Sequence, residues 1–424
     1  MILSIRHLTS LATPRGARAQ AGSSQGEALR IEDAALRVED GLLTFVGGDA
    51  DFAVLFGDEP VPGETALDGR GLTALPGFVD PHTHLPWAGF REGEFNERLK
   101  GRTYAQIAAA GGGIVKTVAA TRAASREELA ANVRARLDAM LLSGTTFCEA
   151  KTGYGLDLDT ETKQLAAIFE GADRHPVGVV ATAMPAHEFP PERRGSKELR
   201  DRYVNECIHE MLPALAAGGA RYADVFCEEG VFDLDESRRI LEAGKKLGLT
   251  PRVHADELTP LGGAQLAAEV GAASADHLLY VTPEGIDALA RAGVVATLLP
   301  GTSFFLRMNR YAPARTLIEN GVAVALGTDC NPGSSYTESM VAVAFFACLG
   351  MGMTVEESLT AMTLNAAASL GEAERRGSLE VGKVADVVLI EGPSVEHLVY
   401  HFGVNPVTHV VAGGRLAVSG RVRC

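Results

Sequence analysis

Phe78-Val79-Asp80-Pro81-His82-Thr83-His84-Leu85 is a short apolar run that ends in two histidines one residue apart. On an extended strand, residues i and i+2 point to the same side. The spacing therefore aims both imidazoles at one point, as two ligands of a metal ion must be aimed. A metal held at a strand end and open to solvent on one side activates water. The rest of the chain must then supply the missing ligands and a scaffold that gathers them.

Working outward, the chain alternates apolar strands with helical patterns, the rhythm of a parallel sheet. Strands are expected at 75–79, 145–149, 177–182, 223–227, 250–253, 273–276, 294–298 and 322–326. Between them, Ser125-Arg126-Glu127-Glu128 is a capping box opening a helix to about Leu142, and Asp233-Leu234-Asp235-Glu236 opens another that ends before Gly248. Eight strands with intervening helices is the count of a (β/α)8 TIM-type barrel, here expected over 74–376. The flanks read differently. Residues 1–73 and 377–424 hold short β-like runs and glycine turns, with no helix of convincing length in the first part. They are expected to pair into one small β-sandwich domain.

Composition narrows the function classes. The 424 residues are 46% apolar and 22% charged, normal for a globular protein with a sizeable core. A net charge of −15 argues against nucleic acid as a partner, because phosphate backbones need a basic surface. A small anionic substrate stays compatible, since one local arginine can outweigh the global charge. The six cysteines form no C-x-x-C pair, which suits free thiols in the cytoplasm. No apolar run reaches the roughly 18 residues of a membrane span. The arginines before Glu27 resemble a transit peptide only faintly, and Met1–Ile5 reads better as a first strand. A homodimer is the commonest outcome for such enzymes.

Barrel enzymes place their chemistry at the C-terminal ends of the strands. The first expected strand leads to His82 and His84, the second to Lys151 and Tyr154, and the third to His187. The fourth leads to Glu228 and Glu229, the fifth to His254 and Glu257, the sixth to Asp276 and His277, and the eighth to Asp329. Five of the 11 histidines thus fall on one barrel face, which scatter would rarely produce. His254 is expected as third ligand and Asp329 as fourth ligand and proton acceptor. Neutral imidazoles with one carboxylate suit one divalent Zn or Fe ion. His277 lies close enough in strand order to stabilise a carbonyl oxygen or oxyanion.

These residues in this order resemble the amidohydrolase superfamily, and the surrounding motifs resemble its imidazolonepropionase family. The motifs are Arg91-Glu92-Gly93-Glu94-Phe95, Ala109-Ala110-Gly111-Gly112-Gly113-Ile114, Lys151-Thr152-Gly153-Tyr154-Gly155-Leu156, Asp224-Val225-Phe226-Cys227-Glu228, His254-Ala255-Asp256-Glu257, Ser274-Ala275-Asp276-His277-Leu278 and Thr328-Asp329-Cys330-Asn331-Pro332-Gly333. The resemblance implies hydrolysis of the cyclic amide 4-imidazolone-5-propanoate to N-formimidoyl-L-glutamate, in histidine degradation. It implies His82, His84, His254 and Asp329 as metal ligands. Arg91, Tyr154, His187, Glu257, Asn331, Gly333 and Ser334 match substrate-contacting positions. The chemistry agrees: Arg91 offers a planar fork to a carboxylate, and Glu257 can accept a ring N–H or move a proton. Departures from the family pattern are Thr152 in place of a serine, Cys330 in place of a larger apolar residue, and Glu188 where a small residue is usual.

Other readings compete. Gly111-Gly112-Gly113 lacks the spacing of a phosphate-binding loop and reads as an ordinary loop. Cys330 has no activating base outside the metal set and reads as packing. Lys151 resembles the carboxylated bridging lysine of two-metal relatives, although its Gly-Tyr-Gly context points to one metal. Glu228 and Glu229 read as supporting groups or salt-bridge partners, and Trp87 as packing near the site entrance. The alternative activity is a related deaminase acting on an amino-heterocycle, and a catalytically silent barrel is the reading from another class.

Overall fold

The computed structural model describes residues 1–102, 106 and 112–424. Eight parallel strands follow one another in chain order: Phe78–Asp80, Thr145–Lys151, Gly178–Ala186, Tyr222–Cys227, Thr250–Ala255, Ser274–His277, Val295–Leu298 and Val324–Leu326. Nearly every residue in them is buried, as expected of a parallel sheet covered on both faces. The register brings His254 beside Phe226 on one side and Asp276 on the other.

The first and eighth strands form no ladder, and side chains close the gap between them at one end. At the C-terminal end, Asp80 accepts Thr328 N at 3.1 Å and Thr328 Oγ1 at 2.6 Å, and Thr83 bridges to Cys330. Burial pushes the Asp80 carboxyl up to about 7, against the hydrogen bonds from Thr328 and His82. At the other end Gln25 pairs with the eighth strand alone of the eight, as a piece of strand would. Its Oε1 accepts Val324 N at 3.0 Å, and its Nε2 donates to Val324 O at 3.1 Å. Gln25 lies in a short turn of 3-10 helix, Gly22–Gly26, carried by the arginine-bearing segment near the N-terminus.

The helices Arg126–Leu142 and Leu234–Lys246 lie where the sequence places them. Ser125 caps the first through Glu128 N, and Asp233 with Glu236 forms a reciprocal capping box on the second. Such a cap is worth about 1 kcal/mol.

The two chain ends form one hydrogen-bonded sheet of nine strands around a separate apolar core that includes Leu3, Ile5, Leu36, Leu43, Val387 and Val411. The expected strand at 75–79 is in fact two. Leu72–Pro76 pairs with Val387–Glu391 in the end sheet, and Phe78–Asp80 starts the barrel. Gly77 makes the transition: a Cβ there would lie 2.3 Å from Thr146 Oγ1. The first part also contains a helix, Asp49–Phe56, which the β-like reading of that region does not anticipate. It lies between Gly48 and Gly57 with Asp49 and Asp51 in its first turn, the favourable end for negative charge. Among the described residues no helix is long and apolar enough to cross a membrane.

Candidate metal centre and substrate cavity

His82 and His84 leave the end of the first strand, His254 sits in the fifth, His277 ends the sixth, and Asp329 follows the eighth. All five are buried. Ligand atoms of His82, His84 and His254 lie within 4.8 Å of one another, as do those of His82, His277 and Asp329. Asp329 Oδ1 is 3.5 Å from the Nε2 of both His82 and His84. Three strands and the closing loop therefore converge on one point, as the spacing predicts.

Hydrogen bonding sets the imidazole tautomers. His82 Nδ1 lies 2.7 Å from Asp276 Oδ2, and His254 Nδ1 lies 3.0 Å from Asp224 Oδ1. Each carboxylate holds the proton on Nδ1 and turns the Nε2 lone pair inward. Both Nε2 atoms are buried without a hydrogen-bond partner. Burial, and after it the Lys151 charge, pushes His82 well below the usual imidazole range; burial does the same to His84. Neutral, pre-oriented imidazoles facing a carboxylate fit a divalent metal. His84 is supported differently: its ring stacks on His187 at 4.9 Å and 17°.

Asp329 Oδ2 accepts Thr302 Oγ1 at 2.7 Å, which leaves Oδ1 toward the histidines. His277 (φ 76°) and Asp329 (φ 51°) both occupy the left-handed region that non-glycine residues avoid, a strain of about 1–3 kcal/mol each. Burial pushes the His277 imidazole down to about 3, so it is neutral near pH 7. Its Nε2 is 3.6 Å from Glu257 Oε2. Burial, then the charges of Asp329 and Glu228, push the Glu257 carboxyl well above its usual range.

A cavity of about 930 Å³ opens over this point. Its walls include Arg91, Tyr154, His187, Glu257, Asn331, Gly333 and Ser334, together with His84, His254, His277 and Asp329. All the expected substrate-contacting residues thus share one chamber, and His82 lies behind its wall. Arg91 donates from Nε to Glu94 at 2.9 Å, and Glu94 also accepts Gly113 N. The guanidinium lies against Gly333, where a Cβ would sit 2.1 Å from Nη1. Asn331 braces its own turn by donating to Asp329 O and accepting from Gly333 N and Ser334 N. His187 Nδ1 is 2.9 Å from Gly153 O. Gly153 has φ 112°, and a Cβ on it would crowd His187.

The ambiguous groups resolve. Lys151 is fully buried and ion-paired to Glu149 at 2.7 Å and Asp224 at 2.8 Å. Burial opposes its charge, but Asp224 and Glu149 outweigh burial and raise its pKa. Glu228 anchors the loop beyond the fifth strand by accepting Leu258 N at 2.8 Å. Glu188 lines the cavity and pairs with Arg194 at 3.2 Å. Cys330 is buried and its thiol pushed well up by burial, so it packs. Trp87 is fully buried beneath Arg136. Of the glycine-rich motif, Ala109, Ala110 and Gly111 lie outside the described residues.

Motif spacing does not single out Glu149, Arg252, Thr302 or Glu161, and it gives Asp224 and Asp276 no role. Glu161 accepts Gly153 N, Gly155 N and Leu156 N, fixing the loop that presents Tyr154. One signal is readable for the strand residues. Glu149, Lys151, Asp224, Arg252 and Asp276 are charges inside otherwise apolar barrel strands, a costly placement unless they are paired.

Comparison with known proteins agrees with this geometry. The sequence model described as "Amidohydrolase family" matches residues 73–417. The chain is 52% identical over 405 residues to an imidazolonepropionase of Symbiobacterium thermophilum, covering 95% of this chain and 94% of that one. It is 50% identical over 390 residues to an imidazolonepropionase of Geobacillus kaustophilus, covering 92% and 91%. Among solved structures, an adenosine deaminase from Xanthomonas campestris with bound zinc superposes with a TM-score of 0.73 at 19% identity, covering 100% of this chain and 94% of that one. Atrazine chlorohydrolase from Arthrobacter aurescens, complexed with zinc, superposes with a TM-score of 0.68 at 18% identity, covering 99% and 96%. At those identities the likeness is one of fold. With the fold and the near-full-length relatives in agreement, the chain belongs to the amidohydrolase family, among its imidazolonepropionases.

Proposed function

We propose that the chain hydrolyses the ring amide of 4-imidazolone-5-propanoate to N-formimidoyl-L-glutamate, a step of histidine degradation, at the centre formed by His82, His84, His254 and Asp329. The observation that carries this reading is the pair of buried, unpartnered Nε2 atoms of His82 and His254, each backed by a carboxylate, beneath a cavity with Arg91 on its wall. Identity of about half the residues over nearly the full length of the relatives supports it.

A divalent ion bound there supplies a Lewis acid that polarises the ring carbonyl and makes hydroxide available near neutral pH. Zn²⁺ and Fe²⁺ both accept three imidazoles and a carboxylate. The remaining work falls to the chain. Arg91 takes the propanoate carboxylate with the guanidinium edge that its Nε bond to Glu94 leaves free. Tyr154 and His187 hydrogen-bond polar ring atoms, and the Asn331–Ser334 turn seats the tail. Asp329 takes a proton at Oδ1 from the attacking water. It returns that proton to the ring nitrogen as the bond from this nitrogen to the carbonyl carbon breaks. His277, neutral near pH 7, hydrogen-bonds the carbonyl oxygen as negative charge develops there. Glu257 accepts a ring N–H.

A cytoplasmic setting fits the six free cysteines, and homodimer contact fits the exposed Phe304, Leu349, Tyr400 and Phe402. The test is direct. Freshly prepared 4-imidazolone-5-propanoate should lose its ring absorbance and yield formimidoyl-glutamate. Persistence of the ring, or release of ammonia from an amino-heterocycle instead, would overturn the assignment.

A further inference from the structure

We propose that Lys151 is a positioning residue of the metal centre, its ammonium tying the His82-Thr83-His84 segment to His254 across the barrel floor. The inference rests on the ligand set named above. Lys151, Glu149 and Asp224 are all fully buried. Nζ lies 2.7 Å from Glu149 Oε1 and 2.8 Å from Asp224 Oδ2. The second oxygen of each carboxylate goes on to a ligand segment. Asp224 Oδ1 meets His254 Nδ1 at 3.0 Å, and Glu149 Oε2 accepts Thr83 N at 3.1 Å.

Thr83, between the two ligand histidines, is gripped twice more. Its Oγ1 donates to Glu149 O at 2.6 Å, and its carbonyl accepts Lys151 N at 2.9 Å. One cation therefore stands between two carboxylates whose outward oxygens end on Thr83 N, between the first-strand ligands, and on His254 of the fifth strand. The ammonium has three N–H donors, and two carboxylates face it. The second, with its own link to a ligand segment, gives the arrangement its reach. Loss of a supporting partner of this kind typically costs about 10–100-fold in metal affinity or activity.

The same contacts dispose of Lys151 as a carboxylated bridge. A carbamate would place negative charge against Glu149 and Asp224. His82 has its own support, since Asp276 meets Arg252 Nη2 at 3.3 Å and Arg252 also donates to Pro81 O and Ser369 O. Loss of Lys151 should therefore loosen His254 and the Thr83 backbone while His82 stays oriented.

The test uses the full chain freed of metal. Zn²⁺ affinity is read by chelator competition, and site geometry by the visible spectrum of the Co²⁺ form. Two variants are compared with wild type: Lys151→Met, and Lys151→Met with Glu149→Gln, which removes the carboxylate left unpaired. Both should bind Zn²⁺ about 10–100-fold more weakly, with shifted Co²⁺ bands. Turnover should fall with little change in KM. If wild type binds no Zn²⁺, the ligand set itself fails. If wild type binds one ion and the variants match its affinity and Co²⁺ spectrum, only the role of Lys151 is overturned. Failure of both variants to fold would overturn it as well, by making the lysine a condition of folding.

Discussion

Polar side chains hold both ends of the eighth barrel strand, and the two ends use them differently. At the N-terminal end the Gln25 amide accepts from Val324 N and donates to Val324 O, and Asn365 donates to Val324 O and Gln20 O. These amides are satisfied by backbone. At the C-terminal end Asp80 and Thr328 latch the first strand to the eighth, but next to them the Nε2 atoms of His82 and His254 face inward without a partner. Buried polar groups left unpaired are expensive. Here two carboxylates pre-orient the rings, and the backbone at His277 and Asp329 is strained. One end of the barrel is built for closure and the other for binding.

Substitutions at the two ends should therefore separate activity from stability. Asp329→Ala should lower kcat by at least 1,000-fold or so, since it removes both a ligand and the proton carrier. Activity within tenfold of wild type would remove Asp329 from the mechanism. Gly333→Ala comes next. The added methyl cannot coexist with Arg91 Nη1, so KM for the carboxylate substrate should rise about 100-fold, with a smaller loss in kcat. Equal losses in both would place the guanidinium elsewhere during binding.

A pH profile sharpens the same comparison. The Glu257 carboxyl is pushed up by burial and by Asp329 and Glu228, so it keeps its proton to a higher pH than an ordinary glutamate. If the ionised form accepts the ring N–H, kcat/KM falls as pH drops through that raised value, and Glu257→Gln flattens this acid limb. The stability sign is opposite to that of a salt-bridged acid. The folded protein resists ionising Glu257, so metal-free wild type loses stability relative to Glu257→Gln as pH rises above the ordinary carboxylate range. Melting temperatures of the two proteins across pH check this.

Thr302→Val should lower kcat about tenfold by freeing Asp329 Oδ2, with Thr302→Ser restoring it. At the closed end, Gln25→Ala should cost about 2 kcal/mol of stability in urea titrations, because Val324 N loses its partner and Val324 O keeps only Asn365. Its kcat should stay at the wild-type value at 25 °C.

What was legible in the sequence follows from the same physics. Strands buried on both faces read as continuous apolar runs, so seven of the eight fall within a few residues of expectation. The first is misjudged because Leu72–Pro76 and Phe78–Asp80 are both apolar and only Gly77 separates them. Histidines at apolar strand ends announce the candidate ligands, since that placement has few structural uses. Thr302 and Gln25 announce nothing. Threonine and glutamine are ordinary on surfaces, and their partners lie 27 and 299 residues away in the chain. Glu161 is hidden for a related reason, since a glutamate in the first turn of a helix reads as a favourable end charge.

The most direct test of the central claim is metal dependence of the ring hydrolysis itself. The protein is stripped with a chelator and then titrated with Zn²⁺ or Fe²⁺, following both bound metal and loss of the imidazolone ring. Activity should vanish on stripping and return in proportion to bound metal, reaching its maximum at one ion per chain. His254→Ala should neither hold the ion tightly nor recover. Full activity in the stripped protein, or in His254→Ala without bound metal, would contradict the account.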